Sequence, residues 1–155
     1  MTLGTAPSLL DASLYTPELK SRTKEAALAH LVSLAHRAGA VRMPAPLLEL
    51  LAVRERVGST AIGKGVALPH ARSLTVIRPV LVVARSRRGI EWDAPDRLPV
   101  SLLLLSLTPG EWGEETHQAF VGRAAALARL QRNRQKLMEA ASFSEVANVL
   151  REVIV

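Results

Sequence analysis

The sequence contains no cysteine. That absence removes disulfides, iron–sulfur clusters, thiolate zinc sites and cysteine nucleophiles together, and it fits a reducing compartment. Aromatic residues make up only 3% of the chain, which leaves few stacking platforms for single-stranded nucleic acid. Long apolar runs are missing as well. Val80–Ala84 and Leu102–Leu105 fall far short of the roughly 20 residues a membrane span needs, so no membrane insertion is expected. The first 20 residues carry Asp11, Glu18 and two prolines rather than a basic start with an apolar middle, so no signal peptide is expected. There is no internal repeat and no low-complexity segment. These absences lead to the expectation of a soluble, cytoplasmic protein.

What is present is globular composition: 155 residues, 48% hydrophobic and 22% charged. A chain of this length fits one domain and buries roughly 70% of its unfolded surface, enough for a core without metals or crosslinks. The balance is basic, with 20 Lys+Arg against 14 Asp+Glu and a net charge of +6. A basic balance raises the question of a nucleic-acid or membrane partner. Here arginine far outnumbers lysine amid abundant Ala, Leu and Val, a pattern that also follows from genome composition. The basic residues are scattered, the densest groups being Arg85, Arg87, Arg88 and Arg129, Arg132, Arg134, Lys136. Nucleic acid is not expected as a partner.

Residues 1–13 read as a loose N-terminal arm and Leu14–Tyr15 as a short strand. Over Thr23–Ala38, Leu28, Leu31, Val32 and Ala35 follow the spacing of one buried helical stripe, and Gly39 stands where a helix stops. His30 and His36 lie off that stripe and read as surface residues. A second helix is expected from Pro44 to Arg56, with prolines in its first turn and Gly58 ending it. Three glycines and a proline make residues 58–72 loop and short strands. Val80–Ala84 and Pro99–Leu107 read as strands buried on both faces. Helices are expected over Glu114–Leu130, Arg132–Ala141 and Phe143–Val153, the last capped by Ser142 or Ser144. Helices, a β-rich middle and helices again describe a single α/β domain whose sheet is covered on both sides.

The segment from Gly58 to Arg72 is the least explicable by packing. Its glycines suit a sharp bend or a close approach, but the spacing is neither a Walker loop nor a dinucleotide fingerprint. His70 follows Pro69, which restricts Leu68 to extended geometry, and Arg72 lies two residues on. A neutral imidazole is nucleophilic and a guanidinium binds phosphate through two points, so a phosphate-accepting histidine is one reading and a structural histidine the other. His117 falls in the first turn of a helix, where free N–H groups favour an anion and a neutral imidazole. A buried histidine bonded to a carbonyl fits that position equally. Ser59 and Thr60 lack a nucleophile elbow and read as bonding either loop backbone or a bound phosphate. Glu114 and Glu115 read as solvated first-turn acids. The four histidines lack a recognisable metal-ligand spacing, so no metal site is expected.

Arg54-Glu55, Gly58-Ser59-Thr60, Gly63 and Gly65-Val-Ala-Leu-Pro-His70-Ala-Arg72 together resemble the signature of enzyme IIA of the bacterial phosphoenolpyruvate:sugar phosphotransferase system. The branch is the fructose–mannitol type (type 2), which includes nitrogen-regulatory proteins. Gly89-Ile-Glu-Trp92, Pro99-Val100 before an apolar strand, and His117 leading an Ala/Leu-rich helix agree with it. The resemblance covers about residues 14–155, which it implies are one enzyme IIA domain with a mixed central β-sheet flanked by α-helices on both faces. It implies that His70 is the phosphorylated residue, with phospho-HPr as donor, Arg54 steadying the phosphoryl charge and His117 orienting His70 or hydrogen-bonding the phosphate. Ser59, Thr60, Gly63 and Gly65 are candidates for a phosphate loop. No cofactor or metal is implied.

Three functional readings follow. The first is a phosphocarrier in a regulatory, nitrogen-branch-like role, with a regulatory target protein as acceptor. The second is a sugar-specific enzyme IIA passing phosphate to a IIB domain for fructose- or mannitol-type uptake. The third is a non-catalytic module that binds a partner through its basic surface. HPr's docking face in this system is itself basic and apolar, so either the excess cations lie away from His70 or docking is weakened.

Overall fold

Four consecutive leucines, Leu102–Leu105, decide the architecture. Successive side chains in a strand point to opposite faces, so an unbroken apolar run needs cover on both sides. In the computed structural model, which describes residues 9–152, this run lies in the central strand β6 (Val100–Pro109). Leu103, Leu105 and Leu107 face one helical layer, and Leu102 and Leu104 face the other. The antiparallel neighbour β5 (Val80–Ile90) divides in the same way, with Val80, Val82 and Ala84 against Leu81 and Val83.

The first layer is α1 (Lys24–Arg37) and α2 (Pro44–Val57); the second is α3 (Glu114–Arg129), α4 (Gln131–Glu139) and α5 (Phe143–Arg151). Thr23 caps α1 by accepting from the Ala26 N–H, and Ser142 caps α5 by accepting from the Glu145 N–H. The sheet runs β1 (Tyr15–Thr16), β5, β6, β3 (Val66–Ala67), β2 (Ala61–Gly63), and β4 (His70–Ser73) also pairs with β6. The β1–β5, β3–β6 and β4–β6 pairs are parallel and the β2–β3 and β5–β6 pairs antiparallel, so the sheet is mixed. This is the α/β architecture with both faces covered that the sequence leads one to expect.

The structure departs from the sequence reading at three places. Of the segment read as an arm, residues 1–8 lie outside the described residues, whereas residues 9–13 pack on the domain. Leu10 is buried in the second layer's core, and the Leu9 carbonyl accepts from the Leu81 N–H. The strand read as Val80–Ala84 continues to Ile90, because Arg85 pairs with Leu102 and Ile90 with Val100, and the residues between them form a bulge. Arg85, grouped by sequence with the exposed Arg87 and Arg88, is buried. Its guanidinium donates to the carbonyls of Leu137, Met138 and Ala140 at the end of α4, where unpaired C=O groups and the helix dipole favour a cation.

Candidate active site

Strands β3 and β4 run along β6 in one register: Ala67 pairs with Leu103 and His70 with Ser106. Between them lie Leu68 and Pro69, and proline has no N–H to give the ladder. The Pro69 carbonyl still accepts from the Ser106 N–H at 3.0 Å, and the His70 ring bends back so that Nδ1 lies 3.0 Å from the Leu68 carbonyl. A carbonyl only accepts, so Nδ1 carries the proton and the neutral ring presents its lone pair at Nε2.

Among the described residues the other edge of β4 is unpaired, and a hollow of about 240 Å³ opens over it. Leu50 and Arg54 of α2 form one wall; Glu114, His117 and Gln118 of α3 form the other; His70, Ala71 and Arg72 form the floor. The structure therefore brings His70, Arg54 and His117 together from three separate stretches of sequence. The His70 and His117 rings lie 5.7 Å apart between centroids.

His117 is buried in the first turn of α3, with Nδ1 2.7 Å from the Thr108 hydroxyl. Burial holds its pKa below the ordinary imidazole value, and the nearby His70 and Arg72 add to the effect against the opposing pull of Glu114. His117 is therefore neutral at pH 7. Arg54, near the end of α2, donates from Nη1 to the Gly58 carbonyl at 2.7 Å and makes no ion pair among the described residues. Arg72 is held differently. Its Nη1 donates to the Trp112 carbonyl at 2.6 Å and its Nη2 lies 3.2 Å from Glu114 Oε1. The loop that supplies Trp112 crosses close to the turn after β4, where a Cβ on Gly110 would meet the Leu74 backbone nitrogen at 2.7 Å.

Behind Arg54, a network of polar side chains fixes the end of α2. The Glu55 carboxylate accepts from the Thr60 N–H at 3.2 Å and from the Thr60 hydroxyl, and pairs with Lys24 at 3.3 Å. The buried Trp92 donates its indole N–H to the Thr60 hydroxyl at 3.3 Å. Glu55 stands next to Arg54, so the same anchor sets where the guanidinium enters the hollow.

The four phosphate-loop candidates lie elsewhere. Ser59 donates its hydroxyl to the Trp92 carbonyl and accepts from the Ala61 N–H, so Ser59 and Thr60 serve the backbone and the Glu55 network. Gly63 and Gly65, at φ +92° and +79°, flank Lys64 in the β2–β3 turn. The Lys64 N–H donates to Asp96 at 2.7 Å, and the Gly65 carbonyl accepts from Ser101 and Leu102, several residues along β6 from the level of His70. None of the four lines the hollow. These glycines answer to turn shape, since both positions are left-handed. Sequence reasoning did not single out Thr108, Lys24 or the Trp112 carbonyl, whose contacts all span loops. Among the described residues no helix is long and apolar enough to cross a membrane.

Residues 8–153 match the family described as "Phosphoenolpyruvate-dependent sugar phosphotransferase system, EIIA 2". The fructose-specific EIIA component of Haloferax volcanii is 37% identical over 150 residues, 93% of this chain and 97% of that protein. The crystal structure of the nitrogen regulatory protein IIA-Ntr from Neisseria meningitidis superposes with a TM-score of 0.84 at 30% identity, covering 92% of this chain and 96% of that one. The mannitol enzyme IIA of Escherichia coli, solved in complex with phosphorylated enzyme IIB, shares the fold with a TM-score of 0.76 at 18% identity, covering 92% of this chain and 97% of that one. Fold, length and motif coincide along nearly the whole chain, and the protein belongs to the type 2 enzyme IIA family, the phosphotransferase components that carry a phosphohistidine in the phosphoenolpyruvate-dependent sugar phosphotransferase system.

Proposed function

We propose that this protein takes a phosphoryl group from phospho-HPr onto Nε2 of His70, in the cytoplasm, and hands it to a protein acceptor. The observation that carries the reading is the bond between His70 Nδ1 and the Leu68 carbonyl. It fixes the tautomer, leaves Nε2 as the nucleophile, and stabilises the positive charge that develops on the ring during attack. The donor's P–N bond breaks as the P–Nε2 bond of His70 forms, and the donor imidazole leaves with the electron pair. The Nδ1 proton stays in place. Transfer between two imidazoles changes bond energy little, so it runs in both directions, and catalysis comes from positioning and charge.

Arg54, with no carboxylate partner among the described residues, supplies a guanidinium to the phosphoryl oxygens. With the Thr108 hydroxyl donating to Nδ1, His117 carries its proton on Nε2 and donates to the same oxygens. The α2 face that brings Leu50 and Arg54 to the hollow also exposes Val53 and Val57, at helical spacing. This apolar rim suits protein docking around a phosphohistidine, first by HPr and then by the acceptor.

The acceptor in this reading is a regulatory target, in keeping with the likeness to the Neisseria nitrogen regulatory structure. A IIB domain for fructose- or mannitol-type sugar uptake is the second reading, favoured by the Haloferax fructose relative. The test is incubation with phosphoenolpyruvate, enzyme I and HPr, read by intact mass and acid lability on wild type and His70→Ala. The expected result is one acid-labile phosphate on wild type alone. Equal labelling of His70→Ala overturns the site, and no labelling of folded wild type by a cognate HPr turns the reading to a binding module using the basic surface. Addition of purified IIB then separates the two acceptors.

A further inference from the structure

The hollow holds two arginines in opposite conditions. Among the described residues Arg54 has no anionic partner, whereas Arg72 is already occupied by a carboxylate at 3.2 Å. Arg72 and His70 are two residues apart on one strand, so both project from the same side of β4, roughly 7 Å apart. An anion on His70 Nε2 is therefore within reach of the Arg72 guanidinium. The Trp112 carbonyl anchors Nη1, which leaves Nη2, the nitrogen facing Glu114, to meet a new anion. Glu114 is itself half-free: its side chain is 62% exposed and accepts from Gln118 Nε2 at 2.8 Å. It can give up Arg72 and remain hydrogen-bonded in water.

We propose that Glu114 masks Arg72, and that the exchange of this carboxylate for the phosphoryl oxygens on Arg72 sets how tightly His70 holds its phosphoryl group. This rests on the reading of His70 as the phosphorylated residue. A carrier must release what it takes. Two unpaired arginines around one dianion favour retention; a resident carboxylate turns the second arginine's affinity into a difference between two anions. The carboxylate is ionised throughout the working range, because Gln118 and the nearby Arg72 and histidines hold its pKa below the ordinary glutamate value. The masking is therefore permanent at neutral pH and lifts only when a stronger anion arrives.

The experiment measures the equilibrium constant for phosphoryl exchange between HPr and this protein, approached from both sides, for wild type, Glu114→Gln, Arg72→Ala and the double variant. Glutamine keeps the size of the side chain and its hydrogen bond to Gln118. Glu114→Gln is expected to shift the equilibrium about fivefold toward the phosphorylated protein, the size of an exposed charge interaction, with the variant still folded by thermal unfolding. In the Arg72→Ala background the same substitution is expected to shift nothing. An unchanged equilibrium constant in Glu114→Gln overturns the proposal, and so does a shift that persists without Arg72, which assigns the effect to direct repulsion. Failure of wild type to take up phosphate overturns the phosphocarrier reading itself, whereas labelled wild type with an unmoved Glu114→Gln variant overturns the mask alone.

Discussion

The two ends of β5 both carry excess positive charge, but they hold it differently. At the Leu81 end, level with Ser106 and His70, the hollow holds two arginines and one glutamate, each placed by a named contact with the backbone or with another side chain. At the other end, Lys20, Arg22, Arg87 and Arg88 surround a cleft with Glu18 as its one acid. Lys20 and Glu18 meet at 3.9 Å on the surface, and Arg22, Arg87 and Arg88 make no ion pair among the described residues. Arg87 lies six residues beyond Leu81, on the order of 20 Å away. The second basic group begins at Arg129, at the far end of α3 from His117, about 18 Å along the helix. The difference teaches that net charge is a poor guide to this site. These two basic groups stand away from His70, and the few charges at the hollow matter because each is held.

That contrast is testable by mutation at either end. The largest effect after loss of His70 itself is expected from Arg54→Ala, which removes the one unpaired guanidinium from the hollow. The rate of phosphoryl uptake from phospho-HPr is expected to fall roughly ten- to a hundredfold, the worth of a charge-assisted hydrogen bond made in the transition state. A rate within twofold of wild type, measured by rapid quench, removes Arg54 from the chemistry and blurs the difference between the two ends.

An intermediate effect is expected from pH, through His117. The folded protein depresses this pKa, mainly by burial, while the unfolded chain titrates near the ordinary 6.5. Below that value the unfolded state binds more protons, so stability falls as the pH drops from about 6.5 toward the folded-state pKa and levels off beneath it. Asp11, Asp96 and Glu114 have lowered carboxyl values, and their contribution is lost only at lower pH still. Thermal unfolding at pH 7.5 and 5.5 is expected to show a smaller difference in His117→Gln than in wild type. Equal differences contradict a neutral buried ring.

The smallest effect sharpens the comparison from the other side. Arg87→Ala combined with Arg88→Ala is expected to leave the uptake rate from phospho-HPr within about twofold, because exposed charges more than a Debye length of roughly 8 Å away are largely screened. A tenfold change in that double variant contradicts the separation of the basic end from the hollow.

Much of this was legible in the chain. The stripe Leu28, Leu31, Val32, Ala35 gives α1 almost to the residue, and the unbroken leucines of β6 give a strand covered twice. His70, Arg54 and His117 could be named from their motif, and the structure gathers them around one hollow. What escaped depends on partners distant in sequence. Arg85 reads as one more surface arginine because the carbonyls that accept from it lie more than 50 residues downstream. Gly63 and Gly65 read as a phosphate cradle because a left-handed turn and a ligand loop draw on the same residue type. Glu114 is the solvated first-turn acid that the sequence leads one to expect, and only its pairing escaped, because Arg72 lies on a strand 42 residues earlier.

The most direct test of the central claim is nitrogen-resolved NMR of the phosphorylated protein, with histidine labelled at both ring nitrogens and phosphorus observed. The tautomer held by Leu68 predicts a single phosphohistidine at His70, bonded to phosphorus through Nε2 and still protonated at Nδ1. Phosphorus on Nδ1 of His70, or on His117, would contradict the account.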